Sequence, residues 1–361
     1  MLRAHWIHCC LVIILAATAQ AATFFVDAED GDDANAGTSA STPFLTIQKA
    51  VDEAVANPGP DLIQIAAGEY RENVTIDDDD QLTLSGTRGV TVIGTNKKLN
   101  GIWILSGDVT ISDLTVTGGR TGIKAEGPGE DPATWTIALT LRDVVVHDAG
   151  KNGVSADFVN SLTIVHGRFF ANPEDGIKAE GANSVSITGT VSEENGLVPG
   201  KVQDGADIEK VAAVRLQDVT IQGNGDDGLE VDFCGSITVI QGRYCGNGDD
   251  GLDIDNTSSI SVVGAVALEN PGNGYQTESE DTEDGPAVAI ESISIRNCEF
   301  AGNGEDGANI IVGVNGAIQR VSLVAITAED NTQSGVEVAI DGTVKVSALK
   351  SANNGAPDVL P

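Results

Sequence analysis

The sequence predicts an all-β fold, a single-stranded parallel β-helix of about 10–12 coils with a capping helix at its N-terminal end. Two observations lead to it: a glycine-centred repeat runs through most of the chain, and apolar and polar residues alternate inside each repeat. Composition agrees, because 43 glycines and only 4% aromatic residues among 361 favour a core of small aliphatic side chains.

Three columns of residues share one repeat register. The first is a Gly that recurs at intervals of 23 residues, or 23 plus an insertion of up to 10: Gly122, Gly153, Gly176, Gly205, Gly228, Gly251, Gly274, Gly307 and Gly335. Apolar pairs such as Leu162 and Ile164 follow nine and eleven residues later, and an Asn such as Asn172 stands nineteen residues past the Gly. Such a unit has room for three short strands but no crossover helix, so each strand must pair with its counterpart in the next coil. We expect the Asn column to form side-chain amide ladders.

A helix is predicted before the coils, over residues 46–56. Ile47, Ala50, Val51 and Ala54 lie at helical spacing, and the string Asn57-Pro58-Gly59-Pro60 ends the pattern. We expect this helix to cover the open end of the stack, which would otherwise expose a sheet edge. Regular coils are expected over residues 101–355, within one domain that spans residues 22–361.

The N-terminal residues are typical of an export signal. Arg3 and His5 precede the apolar run from Cys9 to Ala17, and Ala19-Gln20-Ala21 is a small-x-small cleavage site. We therefore predict that residues 1–21 are a signal peptide and that the protein is secreted or periplasmic. The rest of the sequence lacks an apolar stretch long enough to span a bilayer, so we expect no membrane insertion.

The charge balance restricts the class of partner. The chain has 54 acidic against 20 basic residues, a formal net charge of −34. Such a surface disfavours nucleic acid and favours cations, or polymers met through bridging cations. We expect an acidic polysaccharide as the partner and a monomeric protein.

Three segments resemble the opening of a known group of proteins. The segments are Phe25-Val26-Asp27, the run from Pro43 to Ala50 and the run from Ile63 to Ile76. They resemble secreted right-handed parallel β-helix proteins of the pectate-lyase-like superfamily, and the resemblance covers nearly all of the predicted mature chain. It implies right-handed coils. It implies no single activity, since that superfamily contains lyases, hydrolases, esterases, epimerases and binding proteins.

Acidic side chains concentrate two and four residues past the repeat Gly and one residue before it. At the densest point, two successive coils contribute Asp226, Asp227, Asp249, Asp250 and Asp253. Hard carboxylate oxygens that converge from two coils suit Ca²⁺. The alternative is a solvated acidic face in a salt-tolerant secreted protein. Zinc is disfavoured, because the two histidines outside the leader, His147 and His166, occupy different repeat positions.

The string Asp249-Asp250-Gly251-Leu252-Asp253 also resembles the calcium site of pectate lyase family 9. In that family, matching aspartates hold Ca²⁺ against a uronate carboxylate, and a Lys on the following coil removes the adjacent proton. The resemblance implies Asp249, Asp250 and Asp253 as ligands, joined by Asp226 or Asp227. The family's catalytic Lys falls on Gln276, which cannot act as a base.

The identity of a catalytic group therefore stays open. A lyase could use Lys178 or Lys210 on lower coils, or Arg296 if a loop brings it round. An ion pair with Asp207 one coil above is the alternative role of Lys178. A hydrolase could pair Asp253 with Asp207 or with Glu230. A third possibility is a non-catalytic module that binds calcium and acidic polysaccharide, or a cell-surface structural protein.

Three further residues are candidates for substrate binding: Gln276, Trp103 and Arg296. Trp103 can stack a sugar ring or pack against the neighbouring cap. The cysteines outside the leader fall at different repeat positions, which places them beyond the reach of a disulfide. We therefore predict that Cys234, Cys245 and Cys298 are unpaired.

Overall fold

The computed structural model describes residues 20–78, 80–87, 89–198, 203–282 and 285–361. All but the last two residues of the predicted signal peptide lie outside them. The chain winds into short strands, and strands of successive coils pair in parallel along three faces. Each coil therefore rises by one strand spacing, about 4.8 Å.

The first face follows the repeat glycine, and its outward side chains include the acidic columns. Its strands are Val74–Ile76, Ile102–Ile104, Ile123–Glu126, Val154–Val165, Ile177–Thr188, Ala206–Val211, Leu229–Asp232, Leu252–Ile254, Tyr275–Ser279, Ala308–Val312 and Val336–Ala339.

The second face carries the apolar pairs. Its own strands are Thr23–Val26, Asp61–Ile65, Gln81–Ser85, Asp108–Ser112, Ala138–Arg142, Val214–Gln217, Ser236–Ile240, Ser259–Val263, Ser292–Arg296, Arg320–Val324 and Thr343–Ser347. Two long strands of the first face, Val154–Val165 and Ile177–Thr188, continue through the second face. They join the two faces into one 22-stranded sheet.

The third face is a separate 12-stranded sheet with one short strand per coil. Its strands are Gly68–Tyr70, Val90–Gly94, Thr115–Gly118, Val145–His147, Arg168–Phe170, Val191–Glu193, Thr220–Gln222, Arg243–Cys245, Val266–Leu268, Glu299–Ala301, Thr327–Glu329 and Lys350–Ala352. The described part of the chain thus has 12 coils, the upper end of the predicted range.

The predicted Asn column is a hydrogen-bonded ladder inside the coil stack. Asn224 Nδ2 donates to Oδ1 of Asn247 at 3.0 Å, and Asn247 Nδ2 donates to Oδ1 of Asn270 at 3.3 Å. The backbone N–H of Asn224 donates to the same Oδ1 of Asn247 at 3.2 Å. These side chains are buried, so the ladder satisfies polar groups of the turns that water cannot reach.

The repeat glycine is required because each coil lies close to the next. A Cβ on Gly228 would lie 2.5 Å from the carbonyl oxygen of Gly251 and 2.6 Å from Nδ2 of Asn247. Any side chain would therefore push the strand away from both the next coil and the Asn ladder. The residue after the glycine faces inward, as Leu229 and Leu252 do, and both are fully buried.

A helix, Ile47–Val55, lies where the sequence predicts one. The side chain of Thr46 accepts the N–H of Lys49, and the Glu72 carboxylate accepts the N–H of Ile47. The buried face of the helix contacts Thr23–Val26 and neighbouring strands at the N-terminal end of the stack. That it protects this end from other chains stays a prediction.

Two further predictions concern thiols and membranes. Cys234 and Cys298 are buried, Cys245 is half-buried, and all three are unpaired, as predicted. Along the described ranges of the chain, we find no helix that combines the length and apolar character needed to cross a membrane.

Candidate functional site

The second residue past each repeat glycine forms one column on the first face. In strand register its members follow one another in the order Lys178, Asp207, Glu230, Asp253 and Gln276. This is the order that the repeat predicts. Successive members lie on adjacent coils, so their charges are close enough to interact strongly.

The residues just before the glycines form a second ladder, which the sequence analysis did not predict. Oδ1 of Asp204 accepts the N–H of Asp227 at 2.9 Å, and Oδ1 of Asp227 accepts the N–H of Asp250 at 2.7 Å. Oδ1 of Asp250 accepts the N–H of Asn273, which occupies the same position on the next coil. Two predicted metal ligands, Asp227 and Asp250, thus also support the turn backbone through Oδ1.

Three of the five predicted ligands converge. One carboxylate oxygen from each of Asp226, Asp227 and Asp249 lies within 4.8 Å of the other two. Asp226 and Asp227 are half-buried, and Asp249 is exposed. Oxygens that each lie about 2.3–2.6 Å from one Ca²⁺ are separated by at most about 5 Å, so this donor set fits calcium.

Burial and the charges of neighbouring acids raise the pKa values of the carboxyl groups in this region. Burial raises the pKa of Asp227 to about 8, and the charge of Asp250 raises it too. Burial likewise raises the pKa of Asp250 to about 7, against the lowering effect of its hydrogen bond from Asn273. A cation beside these carboxylates would stabilise their ionised forms.

The fifth predicted ligand, Asp253, has a different environment. It is half-buried, and its Oδ1 has no hydrogen-bond partner among the described residues. Burial raises its pKa well above the ordinary value, and the charge of Asp255, just past the end of its strand, adds to the effect. The side chains of Asp253 and Asp255 are close enough to shift each other's pKa. Asp253 therefore lies beside the converging trio, with Asp255 close to it.

Lys178 forms an ion pair with Oδ2 of Asp207, the alternative role that the sequence analysis gave it. Its ammonium group also lies 3.9 Å from Oε1 of Glu209. Burial lowers the pKa of Lys178, but the charge and hydrogen bond of Asp207, together with the charges of Asp175 and Glu209, outweigh burial, and the net pKa is raised. Lys178 is therefore held in the charged form, which does not accept a proton.

Gln276 lies on the first face directly beside Asp253. Its Oε1 accepts a hydrogen bond from Nδ2 of Asn273 at 2.8 Å. The next member of the column is Asn309, so two successive positions beyond Asp253 carry neutral amides.

The other two candidates for substrate binding lie apart from this centre. Trp103 is half-buried at the N-terminal end of the same column, next to Lys124. Arg296 ends a strand of the second face, and its Nε donates to Oγ of Ser294 at 3.1 Å. The structure therefore does not bring Arg296 to the first face.

The fold agrees with comparisons to known proteins. Residues 100–267 match the family described as right handed beta helix region, and residues 29–78 match the one described as protein of unknown function, DUF1565. A mutant of the periplasmic alginate epimerase AlgG superimposes with a TM-score of 0.55 at 12% identity, covering 83% of this chain and 77% of that one. The chain has a right-handed parallel β-helix fold.

Two further proteins are similar to this β-helix. The mannuronan C5-epimerase AlgE4 of Azotobacter vinelandii is 34% identical over 116 residues, which is 32% of this chain. The β-helix matches only 20% of the length of that epimerase. Pectate lyase Pel9A superimposes with a TM-score of 0.42 at 17% identity, over 94% of this chain and 80% of that one.

Proposed function

We propose that this β-helix is an exported protein that binds an acidic polysaccharide with the help of Ca²⁺ at Asp226, Asp227 and Asp249. The observation that carries the proposal is the convergence of these carboxylates from two coils to within 4.8 Å. Asp250 and Asp253 lie beside the trio and add negative charge when they are ionised. The segment that is similar to a mannuronan C5-epimerase supports a uronate polymer as the partner.

Electrostatics make the cation necessary for this function. A chain of net charge −34 repels a polyanion unless a cation lies between them. Three carboxylates supply about half or fewer of the roughly six to eight oxygen ligands that Ca²⁺ accepts. Carboxylate and hydroxyl oxygens of a uronate polymer can supply others, so binding should be calcium-dependent.

An enzyme that removes the proton next to a uronate carboxylate is the second candidate, and the same similarity favours it. Such a reaction needs a base that is neutral or easily neutralised near the working pH. Lys178 is held in the charged form, and Gln276 is a neutral amide. The hydrolase candidate Asp207 is engaged by Lys178. Binding without catalysis is therefore the function that the site geometry supports best.

The test compares polymer binding with and without calcium. Chelator-treated protein is passed over immobilised polygalacturonate or alginate, in calcium and in chelator. We expect calcium-dependent retention that Asp249→Asn abolishes and Asp148→Asn preserves, because Asp148 is an exposed residue just after a strand of the third face. Retention that is the same with and without calcium, and the same in wild type and Asp249→Asn, would contradict the proposal.

The same mixtures distinguish the enzyme candidates. Absorbance of unsaturated uronate that appears only in calcium would establish a lyase. New reducing ends without that absorbance would establish a hydrolase. We expect neither product.

Export and the monomeric state complete the proposal. Cleavage after residue 21 gives a mature chain that begins at Ala22, which intact-mass measurement of protein recovered outside the cytoplasm checks directly. Light scattering of the purified mature chain checks the monomer.

A further inference from the structure

A second group of carboxylates lies on the two coils that precede the proposed calcium site. One oxygen from each of Asp175, Asp204 and Asp207 lies within 4.8 Å of the other two. These residues are 3%, 5% and 5% exposed, so this group is much more deeply buried than the trio at Asp226, Asp227 and Asp249. Asp175 and Asp204 stand in the acidic column before the repeat glycine, but their spacing alone does not distinguish them from the other acids of that column.

In two of these side chains, those of Asp175 and Asp204, only one carboxylate oxygen takes part in the backbone ladder. Oδ1 of Asp175 accepts the N–H of Asp204 at 3.1 Å, and Oδ1 of Asp204 accepts the N–H of Asp227 at 2.9 Å. The Oδ2 atoms of both remain outside the ladder. Glu230 on the next coil is close enough for its charge to act on Asp204.

The environment of Asp207 is an independent observation that points to a bound ligand. Its Oδ2 is paired with Lys178, but its Oδ1 is buried and has no hydrogen-bond partner among the described residues. Its side chain is only 8% exposed, so bulk water has little access to this oxygen. A buried carboxylate oxygen in this state is costly, and native proteins normally give it a hydrogen-bond donor or a metal ion.

Charge balance indicates which ligand fits. When ionised, the three carboxylates carry three negative charges, and Lys178 returns one positive charge within the same group. A divalent cation would neutralise the remainder. All the available donors are oxygens, which suits a hard ion of the calcium class and not zinc.

We propose that Asp175, Asp204 and Asp207 hold a second divalent cation, buried in the first face beside Lys178. This inner ion fixes three carboxylates and the turns of two coils to one another. Its binding does not depend on the polysaccharide, because the site is closed to a polymer. The inner site is also separate in residue composition from the calcium site of the proposed function.

The test counts ions bound by chelator-treated, full-length mature protein in equilibrium dialysis against calcium. Wild type should bind two ions tightly, and Asp249→Asn and Asp204→Asn should bind one each. Asn at position 204 keeps an Oδ1 acceptor for the N–H of Asp227, and the chain itself uses Asn152 and Asn273 at this ladder position. Asp204→Asn should therefore fold.

Stability measurement adds a readout that does not count ions. Calcium should raise the unfolding midpoint of Asp249→Asn, in which only the inner site remains. If Asp204→Asn does not fold, Asp207→Asn replaces it in the dialysis.

The outcomes separate the two sites. A single ion in wild type that is lost in Asp249→Asn and retained in Asp204→Asn would overturn the inner site and leave the proposed function intact. A single ion lost only in Asp204→Asn would support the inner site and contradict the calcium site of the proposed function. An unchanged midpoint of Asp249→Asn in calcium would also overturn the inner site.

Discussion

The ammonium group of Lys178 is paired with the carboxylate of Asp207, its register neighbour on the next coil. The lysine side chain is 27% exposed and the aspartate 8%, so the pair is largely shielded from water. Pairing explains why a lysine on an acidic face is not available as a base. It also means that Asp207 depends on Lys178 for its charge compensation.

Replacing Lys178 with Met should destabilise the calcium-free protein strongly. Loss of one partner leaves Asp207 buried and unpaired, which typically costs about 3–5 kcal/mol. Urea unfolding at neutral pH in chelator measures the change. Lys350→Met is the control: Lys350 is 68% exposed and paired with Glu329 at 2.8 Å, so its loss should cost less than about 1 kcal/mol. Equal effects of the two substitutions would show that the Lys178 pair is not shielded.

Replacing Asn247 with Ala should break the Asn ladder at its middle. The backbone N–H and Nδ2 of Asn224 both lose their acceptor, and each unsatisfied buried donor costs about 1–3 kcal/mol. The free energy of unfolding, measured with denaturant, should therefore fall by about the sum of these two costs. Asn183→Ala removes an exposed hydrogen bond to Asn160 and should change stability by less than about 1 kcal/mol. A small effect of Asn247→Ala would contradict the structural role of the ladder.

The calcium-free protein should lose stability as the pH rises from about 4 to 7. Burial raises the pKa of Asp255 from 3.8 to about 7 and that of Asp232 from 3.8 to about 6. Because the folded pKa exceeds the unfolded one, the folded state binds more protons in this window. Each such group contributes a fall of up to about 1.4 kcal/mol per pH unit.

Asp255→Asn isolates one of these groups. The amide keeps an acceptor for the N–H of Glu278, which donates to Oδ1 at 2.6 Å, and it fixes position 255 in a neutral form. Unfolding free energies across the pH range should therefore fall less steeply in this variant than in wild type. Asp148→Asn should keep the wild-type slope. Parallel curves for Asp255→Asn and wild type would refute the raised pKa of Asp255.

Most of the fold could be predicted because a β-helix maps sequence spacing directly onto neighbouring positions. The interval between Lys178 and Asp207 contains one repeat and one insertion, and the two residues are register partners. The Asn ladder and the column containing Gln276 follow from the same rule. The same spacing rule places Cys234, Cys245 and Cys298 at different repeat positions, and it therefore predicts that they form no disulfide.

The oxygen-level details of the site could not be predicted in this way. The repeat shows that Asp227 and Asp250 are stacked, but it does not show that their Oδ1 atoms accept backbone N–H groups. It also does not show which residues are buried, so the group around Asp175 and Asp204 was missed. The repeat leaves open whether a loop brings Arg296 round to the site, and the structure places Arg296 at the end of a strand of the second face.

A crystal structure of the mature protein grown in calcium tests the central claim most directly. We predict ion density between Asp226, Asp227 and Asp249, with one oxygen from each at about 2.3–2.6 Å. At saturating calcium, a water molecule in place of the ion, with the three carboxylates turned away from one another, would contradict the claim.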